Sequence, residues 1–458
     1  MPLLAPSDFD THSSLGAEGN GAAGGEPAGA EVRLAGRVLA SDGLNLVVAD
    51  AFASVEVELE RSSAIEVGDL VVLAGRPEQA QLRAARLIER YTPARPPGRD
   101  DPPGSDAAGG GENGHNHSDL DDDDAPPANE TERFIHRGVG QALVARSVAV
   151  AAIRRFFGRE RFLEVDTPLM VPSPGLDLHL DAFEVGGDTQ PSGAPSPPRF
   201  LITSPEYQMK RLLAGGVPRC FQLARCFRRG ELGHHHNPEF LMLEWYRAFA
   251  GVDQVMDDTE RLVRLLAEEV IGAESIEVGG PEGGVRVDLA APFERLTVSE
   301  AFARHAGVRG DEAIDLATSD ESRFFKLLVD LVEPALARAP RPVFLVDYPA
   351  PFASLARHKP SNPRVCERFE LYLGGVEICN GFGELTDPIE QRARLLHDQK
   401  KRAETGKPVY PIDERFLAAL EEGIPPSAGN ALGVDRLIAL LIGADRIATV
   451  QPFPADWL

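Results

Sequence analysis

Residues 219–249 combine aromatic, basic and acidic side chains in a pattern that suits a phosphorylated, cationic ligand. Two runs of alternating side chains flank a short loop there. Side chains two apart on a strand share a face, so we expect Phe240, Glu244 and Tyr246 on one surface. Arg228 follows the partner strand onto the same surface. An aromatic ring can stack on a base, arginine binds phosphate, and an acid beside a tyrosine can bind an ammonium group, which makes this a candidate nucleotide-plus-amine site.

A second hairpin, residues 368–385, contains two acids in an otherwise apolar segment. Gly374-Gly375 is the turn signal that joins its strands. Glu377 and Glu384 are seven residues apart, a spacing that would put them on opposite faces of a regular strand. We therefore expect a bulge or break at Asn380-Gly381 that turns both acids toward one site. Such a pair could hold Mg²⁺ against ATP phosphates or bind an ammonium group.

Two further segments favour a phosphate-binding end. The small-residue stretch GNALGVDRL at 429–437 runs into an apolar helix, where Gly433 permits close backbone approach and Arg436 can meet a phosphate. Three adjacent histidines, 234–236, stand on the loop of the first hairpin. Three imidazoles on one short loop cannot easily converge on one ion, so we expect this loop to face phosphate rather than to bind a metal.

The elements that must position these residues form a mixed pattern from Phe134 to the C-terminus. Helical periods such as 138–157 and 322–337 alternate irregularly with hairpins, which favours an α+β domain with an antiparallel sheet flanked by helices. Thr297 with Glu300 three residues later predicts a capping box at a helix start.

The sequence divides residues 1–130 into three segments. Residues 1–30 lack periodicity and are expected to be disordered. Residues 31–92 hold five short Val- and Leu-rich runs separated by turn signals, which predicts a small OB-like β-barrel. Residues 93–130 form an acidic segment without core-forming residues, which we interpret as a flexible linker. The remainder, 131–458, is then the catalytic domain.

Composition excludes several classes of protein. The 458 residues carry a net charge of −24, and residues 1–130 hold 24 Asp and Glu against nine Arg. An acidic chain argues against a broad, sequence-independent grip on nucleic acid. No apolar run reaches the 18 or so residues of a membrane span. Four cysteines and no secretory leader pattern favour a soluble, cytoplasmic protein without a membrane partner.

Together these motifs resemble the class II aminoacyl-tRNA synthetases, in particular their lysine branch. FLEVDTPLM at 162–170 resembles motif 1, FRRGELGHHHNPEFLMLEWY at 227–246 resembles motif 2, and GNALGVDRL resembles motif 3. TSPE at 203–206 adds to the likeness, which covers about 320 residues.

Within that branch the sequence resembles most the ligases that attach lysine or (R)-β-lysine to a lysine of elongation factor P. Three residues favour these ligases over the lysyl-tRNA synthetases. Ser204 stands where the synthetases usually have Ala, Trp245 precedes Tyr246, and Ala431 stands where the synthetases have Gly. The extra methyl of Ala431 would reshape the amino-acid pocket. The resemblance implies ATP and Mg²⁺ as cofactors, elongation factor P as protein substrate, and a homodimer built on the helix at 138–157.

The resemblance also implies roles by position. Arg228 and Arg436 would act on the phosphates as catalytic residues. The substrate amino acid would be bound by Ser204, Pro205, Glu206, Glu244, Tyr246, Asn380 and Glu384. ATP would be bound by Arg228, Arg229, Gly230, Asn237, Phe240, Glu377, Ile378, Gly433 and Arg436. The metal would be held by Glu377 and Glu384.

Two departures keep alternatives open. The family reads Phe-Arg-Asn-Glu in motif 2, whereas Phe227-Arg228 is followed here by Arg229-Gly230, so an acid is missing unless Glu231 takes its position. The ligases usually lack an anticodon-type domain, whereas this chain has the 31–92 segment. One alternative is a lysyl-tRNA synthetase whose barrel reads an anticodon, although the segment is poor in the aromatic residues on which bases stack. The other is a non-catalytic paralogue that binds a ligand or partner.

Overall fold

The chain divides into two units, residues 1–144 and 145–458. The structure is a computed structural model and describes residues 3–4, 6, 31–78, 80–92, 127, 129–186, 197–279 and 284–458. The predicted disordered N-terminus and acidic linker lie almost wholly outside the described residues. The boundaries predicted at 31–92, 93–130 and 131–458 therefore stay predictions.

The N-terminal unit contains a closed β-barrel. A short strand, β1 (Leu3–Leu4), precedes it, and its five strands are β2 (Val32–Ser41), β3 (Asn45–Ala49), β4 (Ser54–Leu59), β5 (Leu70–Glu78) and β6 (Gln81–Tyr91). The order β2-β3-β4-β6-β5 closes because β2 also pairs with β5, while β4 and β6 run parallel. Alternate side chains of β4 are buried, as a strand with one face on a core requires. The predicted five-stranded OB-like barrel is confirmed.

The helices of the chain agree with the predicted periods. They are α1 (Val139–Arg159), α2 (Glu206–Ala214), α3 (Val252–Ile271), α4 (Val298–Ala301), α5 (Glu312–Ser319), α6 (Glu321–Leu327), α7 (Glu333–Leu336), α8 (Pro388–Glu404), α9 (Glu414–Glu422) and α10 (Val434–Leu441). The predicted helix at 322–337 consists of α6, a π-helical segment Leu328–Val332 and α7. The predicted capping box is present, because Thr297 Oγ1 accepts from the Glu300 N–H and the Glu300 carboxylate accepts from the Thr297 N–H.

A large antiparallel sheet forms the centre of the second unit. The described strands of this unit are β7 (Leu163–Glu164), β8 (Met170–Val171), β9 (Glu184–Val185), β10 (Arg199–Leu201), β11 (Arg219–Phe227), β12 (Glu239–Ala248), β13 (Ser275–Val278), β14 (Val285–Asp288), β15 (Glu294–Thr297), β16 (Val343–Pro349), β17 (His358–Lys359), β18 (Asn362–Leu373), β19 (Val376–Gly383) and β20 (Ser427–Gly433). The order is β15-β16-β18-β19-β20-β12-β11-β7, and only its two edge pairs are parallel. The motif-bearing strands β12, β19 and β20 are thus adjacent at its centre.

The two hairpins have the predicted connections. Strand β11 pairs with β12 so that Gln222 lies opposite Glu244. Gly374 and Gly375 join β18 to β19 with φ values of 57° and 83°, a left-handed turn that side chains with a Cβ adopt only with strain.

The predicted bulge in β19 exists, but at a different residue. The pairing shifts between Leu371↔Cys379 and Tyr372↔Glu377, so Ile378 is the extra residue. The partners of Asn380 and Gly381 continue in regular register, and the prediction of a break there is wrong. A bulge anywhere between the two acids reverses the alternation, so the inference that they turn toward one site did not depend on its position.

None of the described helices is long and apolar enough to cross a membrane.

Candidate active site

A cavity of about 430 Å³ lies over the central strands β12, β19 and β20. Its wall is completed by the N-terminal turn of α2, the loop between β11 and β12, and the start of α10. Most of the residues that the sequence predicted for the site line it, namely Ser204, Glu206, Arg228, Asn237, Phe240, Glu244, Tyr246, Glu377, Ile378, Asn380, Glu384, Gly433 and Arg436. Three segments far apart in the chain therefore meet at one cavity.

Three of the predicted site residues, Pro205, Arg229 and Gly230, do not line this cavity, and their roles in binding stay predictions. Pro205 is the residue at which α2 begins. The backbone N–H of Arg229 donates to the Asp181 carbonyl at 2.7 Å. Gly230 has φ 85°, so the chain turns away from the strand directly after Arg228. Glu231 lines the cavity instead, with its carboxylate 3.7 Å from the Arg228 guanidinium.

One end of the cavity is acidic. Glu244 is almost completely buried and receives two neutral donors, the Ser204 hydroxyl at 2.5 Å and the Tyr246 hydroxyl at 3.0 Å. Ser204 is fixed in turn, because its Oγ accepts from the Glu206 N–H. Burial, with the nearby charge of Glu206, raises the pKa of Glu244 to about 8. An ammonium ligand here would favour the ionised carboxylate.

Lys210 is a buried cation behind this acidic end that the sequence analysis did not single out. Its Nζ lies 2.6 Å from Glu206 Oε1 and 2.5 Å from Glu384 Oε2. Glu206 and Lys210 are four residues apart, one turn along α2, so that spacing was the signal available in the sequence. The contact with Glu384 depends on packing between α2 and the end of β19, and no local pattern predicts it.

The opposite end is basic. Arg228 lies over the Phe240 ring, 5.0 Å from its centroid, and its Nε is buried without a hydrogen-bond partner among the described residues. Arg436 donates to the Glu377 carbonyl at 2.6 Å. Burial, together with the charge of Arg228, lowers the pKa of Arg436 from its ordinary value. Guanidinium groups held this close together favour an anion such as a phosphate between them.

Arg368, which the sequence analysis also missed, lines the same cavity. It donates to the Phe352 carbonyl at 2.8 Å and to Glu370 Oε1 at 2.7 Å. Glu370 also accepts from the hydroxyls of Tyr348 and Tyr372 at 2.5 and 2.9 Å. This network holds Arg368 in one position at the cavity wall.

The histidine loop meets the basic end, as predicted. His235 and His236 line the cavity, whereas His234 does not. Burial and the neighbouring Arg436 lower the pKa of both lining imidazoles, so each is neutral at pH 7. Within the described residues, no group of three His, Cys, Asp or Glu side chains is arranged to hold a metal ion.

The side-chain amide of Asn237 forms its hydrogen bonds with backbone groups of the protein. Its Nδ2 donates to the Glu239 carbonyl at 2.6 Å, and its Oδ1 accepts from the Ala455 N–H at 3.0 Å. Asn237 therefore orders the loop that carries the histidines, and a direct role in binding ATP stays a prediction.

The two acids predicted as a metal pair have different neighbours. Glu384 is held by Lys210 at the acidic end, so we no longer pair it with the metal. Glu377 lies at the basic end, where burial and the charge of Glu370 raise its pKa to about 7. Of the two predicted metal ligands, Glu377 is therefore the one that lies beside the arginines, and its role toward Mg²⁺ stays a prediction.

The unpaired polar atoms of the cavity indicate what it would bind. Glu384 Oε1 and Asn380 Oδ1 are buried acceptors without a hydrogen-bond partner in the described part of the chain, whereas Glu384 Oε2 lies 2.5 Å from Lys210 Nζ. Arg228 Nε and Arg368 Nε are buried donors in the same condition. Buried polar groups are normally satisfied, so these atoms call for a ligand that donates at one end and accepts at the other.

Motif 3 provides the floor between the two ends. A Cβ at Gly429 would lie 2.4 Å from the Tyr246 ring and 2.9 Å from Glu384 Oε1, so this position tolerates only glycine. A Cβ at Gly433 would meet only ordinary contacts. Ala431, the residue whose methyl was expected to reshape the pocket, lines the cavity opposite Glu244 and Asn380.

A central antiparallel sheet that carries arginines at one end of a cavity and carboxylates at the other defines the catalytic domain of a class II aminoacyl-tRNA synthetase. The family model described as tRNA synthetases class II (D, K and N) matches residues 129–457. Two proteins named elongation factor P–(R)-β-lysine ligase are 40% identical over 334 residues, in Klebsiella pneumoniae subsp. pneumoniae, and 42% identical over 320 residues, in Edwardsiella ictaluri. Each match covers 69% of this chain and 95% of the relative.

A protein of the same name from Proteus mirabilis is 41% identical over 318 residues, which cover 68% of this chain and 94% of that protein. The chain therefore belongs to the class II tRNA synthetase family, in the branch of the elongation factor P–(R)-β-lysine ligases. Members of this class are ATP-dependent ligases that use Mg²⁺ in general. The barrel at 31–92 lies outside the residues that the family model matches.

Proposed function

We propose that this protein activates lysine or (R)-β-lysine as an adenylate, with ATP and Mg²⁺, and transfers it to a lysine side chain of elongation factor P. The observation that carries the proposal is the single cavity with three glutamates at one end and three arginines at the other. An aminoacyl-adenylate of a diamino acid has the matching charges, with ammonium groups at one end and a phosphate at the other.

The charge of the acidic end supports a substrate with two amino groups. Glu206, Glu244 and Glu384 carry three negative charges when ionised, and Lys210 supplies one positive charge. Two ammonium groups would complete the neutralisation of this buried cluster. Burying carboxylates without such compensation is costly, which agrees with the raised pKa values of Glu244 and Glu384, about 8 and about 7.

The basic end supports adenylate formation by positioning and charge. The substrate carboxylate is itself the nucleophile on the α-phosphorus, and pyrophosphate leaves with the electrons of the broken P–O bond, so the protein need not form a covalent bond. Arg228 and Arg436 would stabilise the charge that develops on the phosphate oxygens, and Phe240 would stack on the adenine. Glu377 would hold Mg²⁺, which when bound offsets phosphate charge.

In the second half of the reaction, the acceptor amine attacks the carbonyl carbon of the adenylate. A C–N bond forms, the C–O bond to the phosphate breaks, AMP leaves with that electron pair, and the attacking nitrogen releases one proton to solvent. The arginines that stabilised the first step would stabilise the departing AMP by the same contacts. The product is an amide, whereas transfer to tRNA would give an ester.

The barrel favours a protein acceptor over tRNA. Four of its seven arginines are in ion pairs with acids, namely Arg33 with Glu89, Arg83 with Glu58 and Glu78, Arg86 with Glu31, and Arg90 with Asp69. Phosphate binding needs cations that are not already neutralised. The barrel contains only two aromatic residues, Phe52 and Tyr91, on which a base could stack.

The test is a transfer assay with two acceptors. Purified protein is incubated with ATP, Mg²⁺ and radiolabelled lysine or (R)-β-lysine, with elongation factor P in one tube and tRNA in another. Label on elongation factor P that survives mild base would support the proposal, because amides resist conditions that hydrolyse aminoacyl esters. Base-labile label on tRNA would identify a lysyl-tRNA synthetase. Absence of amino-acid-dependent ATP–pyrophosphate exchange would identify a non-catalytic paralogue.

We also propose a homodimer, on the resemblance of α1 to the motif 1 helix. Sedimentation equilibrium over a range of protein concentrations tests it, and a mass of one chain throughout that range would contradict it.

A further inference from the structure

Lys210 lies behind the acidic end of the cavity and contacts two of its three glutamates. It is fully buried, and its ammonium group is within 2.6 Å of carboxylate oxygens of both Glu206 and Glu384. It does not line the cavity itself. It can therefore act on a ligand only through the two carboxylates that it holds.

Several contacts fix the position of this ammonium group. It lies 5.1 Å from the centroid of the Phe382 ring and 6.0 Å from that of Phe416, both within cation–π range. Burial by itself would lower the pKa of Lys210, but the charges of Glu206 and Glu384 raise it above its ordinary value. Lys210 is thus a permanent cation in an otherwise apolar surrounding.

The two carboxylates come from different elements, Glu206 from the first turn of α2 and Glu384 from the residue after β19. The Glu384 side chain is buried and that of Glu206 is 19% exposed, and two carboxylates held this close to one ammonium group would repel each other without it. One lysine offsets one of their two charges, so that one negative charge is left for a substrate.

We propose that Lys210 is a positioning residue for the amino-acid substrate, whose ammonium group holds Glu206 and Glu384 together as a preformed acceptor for a substrate amine. This inference rests on the proposed function. A preformed site binds its ligand more tightly, because the free energy of binding does not include the cost of ordering the site. Lys210 therefore affects the amino-acid half-site and leaves the nucleotide half-site unchanged.

The test is amino-acid-dependent ATP–pyrophosphate exchange by Lys210→Met, which keeps most of the side-chain volume and removes the charge. We expect KM for the amino acid to rise by about tenfold or more, while KM for ATP stays within about threefold of the wild-type value. Lys326→Met is the matched control. Lys326 forms an ion pair with Asp330 at 2.5 Å, both side chains are exposed, and no predicted site residue is near them in the sequence. Its KM values should equal those of the wild type.

Chemical rescue separates positioning from folding. Lys210→Ala lacks the three carbons and the nitrogen beyond Cβ, which propylammonium chloride can replace. We expect propylammonium to lower the KM of this variant for the amino acid several-fold, whereas potassium chloride at the same ionic strength does not. The wild type and Lys326→Met should show at most competitive inhibition by propylammonium.

Two results would overturn the inference. The first is a folded Lys210→Met protein with the wild-type KM for the amino acid. In the second result, propylammonium raises the melting temperature of Lys210→Ala but does not lower its KM for the amino acid. This result can be obtained even if Lys210→Met does not fold. Failure of the proposed function is distinguishable, because the wild type itself would then show no lysine-dependent exchange.

Discussion

The buried Glu244 carboxylate couples amino-acid binding to pH. Its pKa in the empty cavity is about 8, raised by burial and by Glu206. At pH 7 about one molecule in ten then has the carboxylate ionised, and at pH 6 about one in a hundred. An ammonium group binds the ionised form, so the affinity for lysine should rise with pH. The ionised fraction rises about ninefold between pH 6 and pH 7 and about five- to sixfold between pH 7 and pH 8. This group alone should therefore lower KM by about 50-fold over the two units, or about 2.3 kcal/mol.

The variant Glu244→Gln keeps the size of the side chain and removes its titration. Its KM for lysine should resemble that of the wild type at pH 6, where Glu244 is protonated, and exceed it by about tenfold or more at pH 8.5. Glu377 and Glu384 titrate in both proteins, so the difference between the two profiles reports Glu244. The assay is ATP–pyrophosphate exchange at saturating ATP and constant ionic strength.

Glu239→Gln is the matched control, because Glu239 is on the same strand but exposed. Its KM profile should follow that of the wild type. Parallel profiles for the wild type and Glu244→Gln over the whole pH range would refute the reasoning, since Glu244 would then not change its charge when the amino acid binds.

Three further predictions concern other parts of the domain. Arg228→Ala should lower the exchange rate about a hundredfold or more, as loss of a transition-state charge contact does. Arg229→Ala should stay within about threefold of the wild-type rate, because Arg229 does not line the cavity. Equal losses in the two variants would contradict this assignment. Gly429→Ala should raise KM for the amino acid and lower the free energy of unfolding by about 1–3 kcal/mol, because its methyl would overlap the Tyr246 ring. The free energy is measured by urea titration, and an unchanged denaturation midpoint would contradict this prediction. Thr297→Ala should cost about 1 kcal/mol in the same urea titration by loss of the capping box, while the exchange rate stays at the wild-type value.

Much of the fold follows from local patterns. Alternation with a period of two predicted the β11–β12 hairpin, because a strand buries every second side chain. Val- and Leu-rich runs separated by turn signals predicted the strands of the barrel. Thr297 with Glu300 predicted a helix start, and Gly374-Gly375 predicted a turn, because each of these depends on only a few consecutive residues.

The candidate site was predicted less completely. The types of residue and their strands identified both ends of the cavity, and the odd spacing of Glu377 and Glu384 correctly implied a reversal of alternation. The bulge itself was assigned to the wrong residue, because its position depends on which residue of β18 pairs with Glu377. Arg229 and Gly230 were assigned to ATP on the resemblance of residues 227–246 to motif 2. Neither lines the cavity, and their role in binding ATP stays a prediction.

The sequence by itself determined the strand and helix periods, the order of the motifs and the types of charge available. The tertiary structure decided which of those charges meet. Lys210 contacts Glu384 only because α2 packs against the end of β19, and that contact places the Glu384 carboxylate beside a buried cation, which the sequence did not predict. The physical reason is that an alternating pattern is a property of neighbouring residues, whereas the pairing and the pKa of a buried charge depend on side chains that folding brings together.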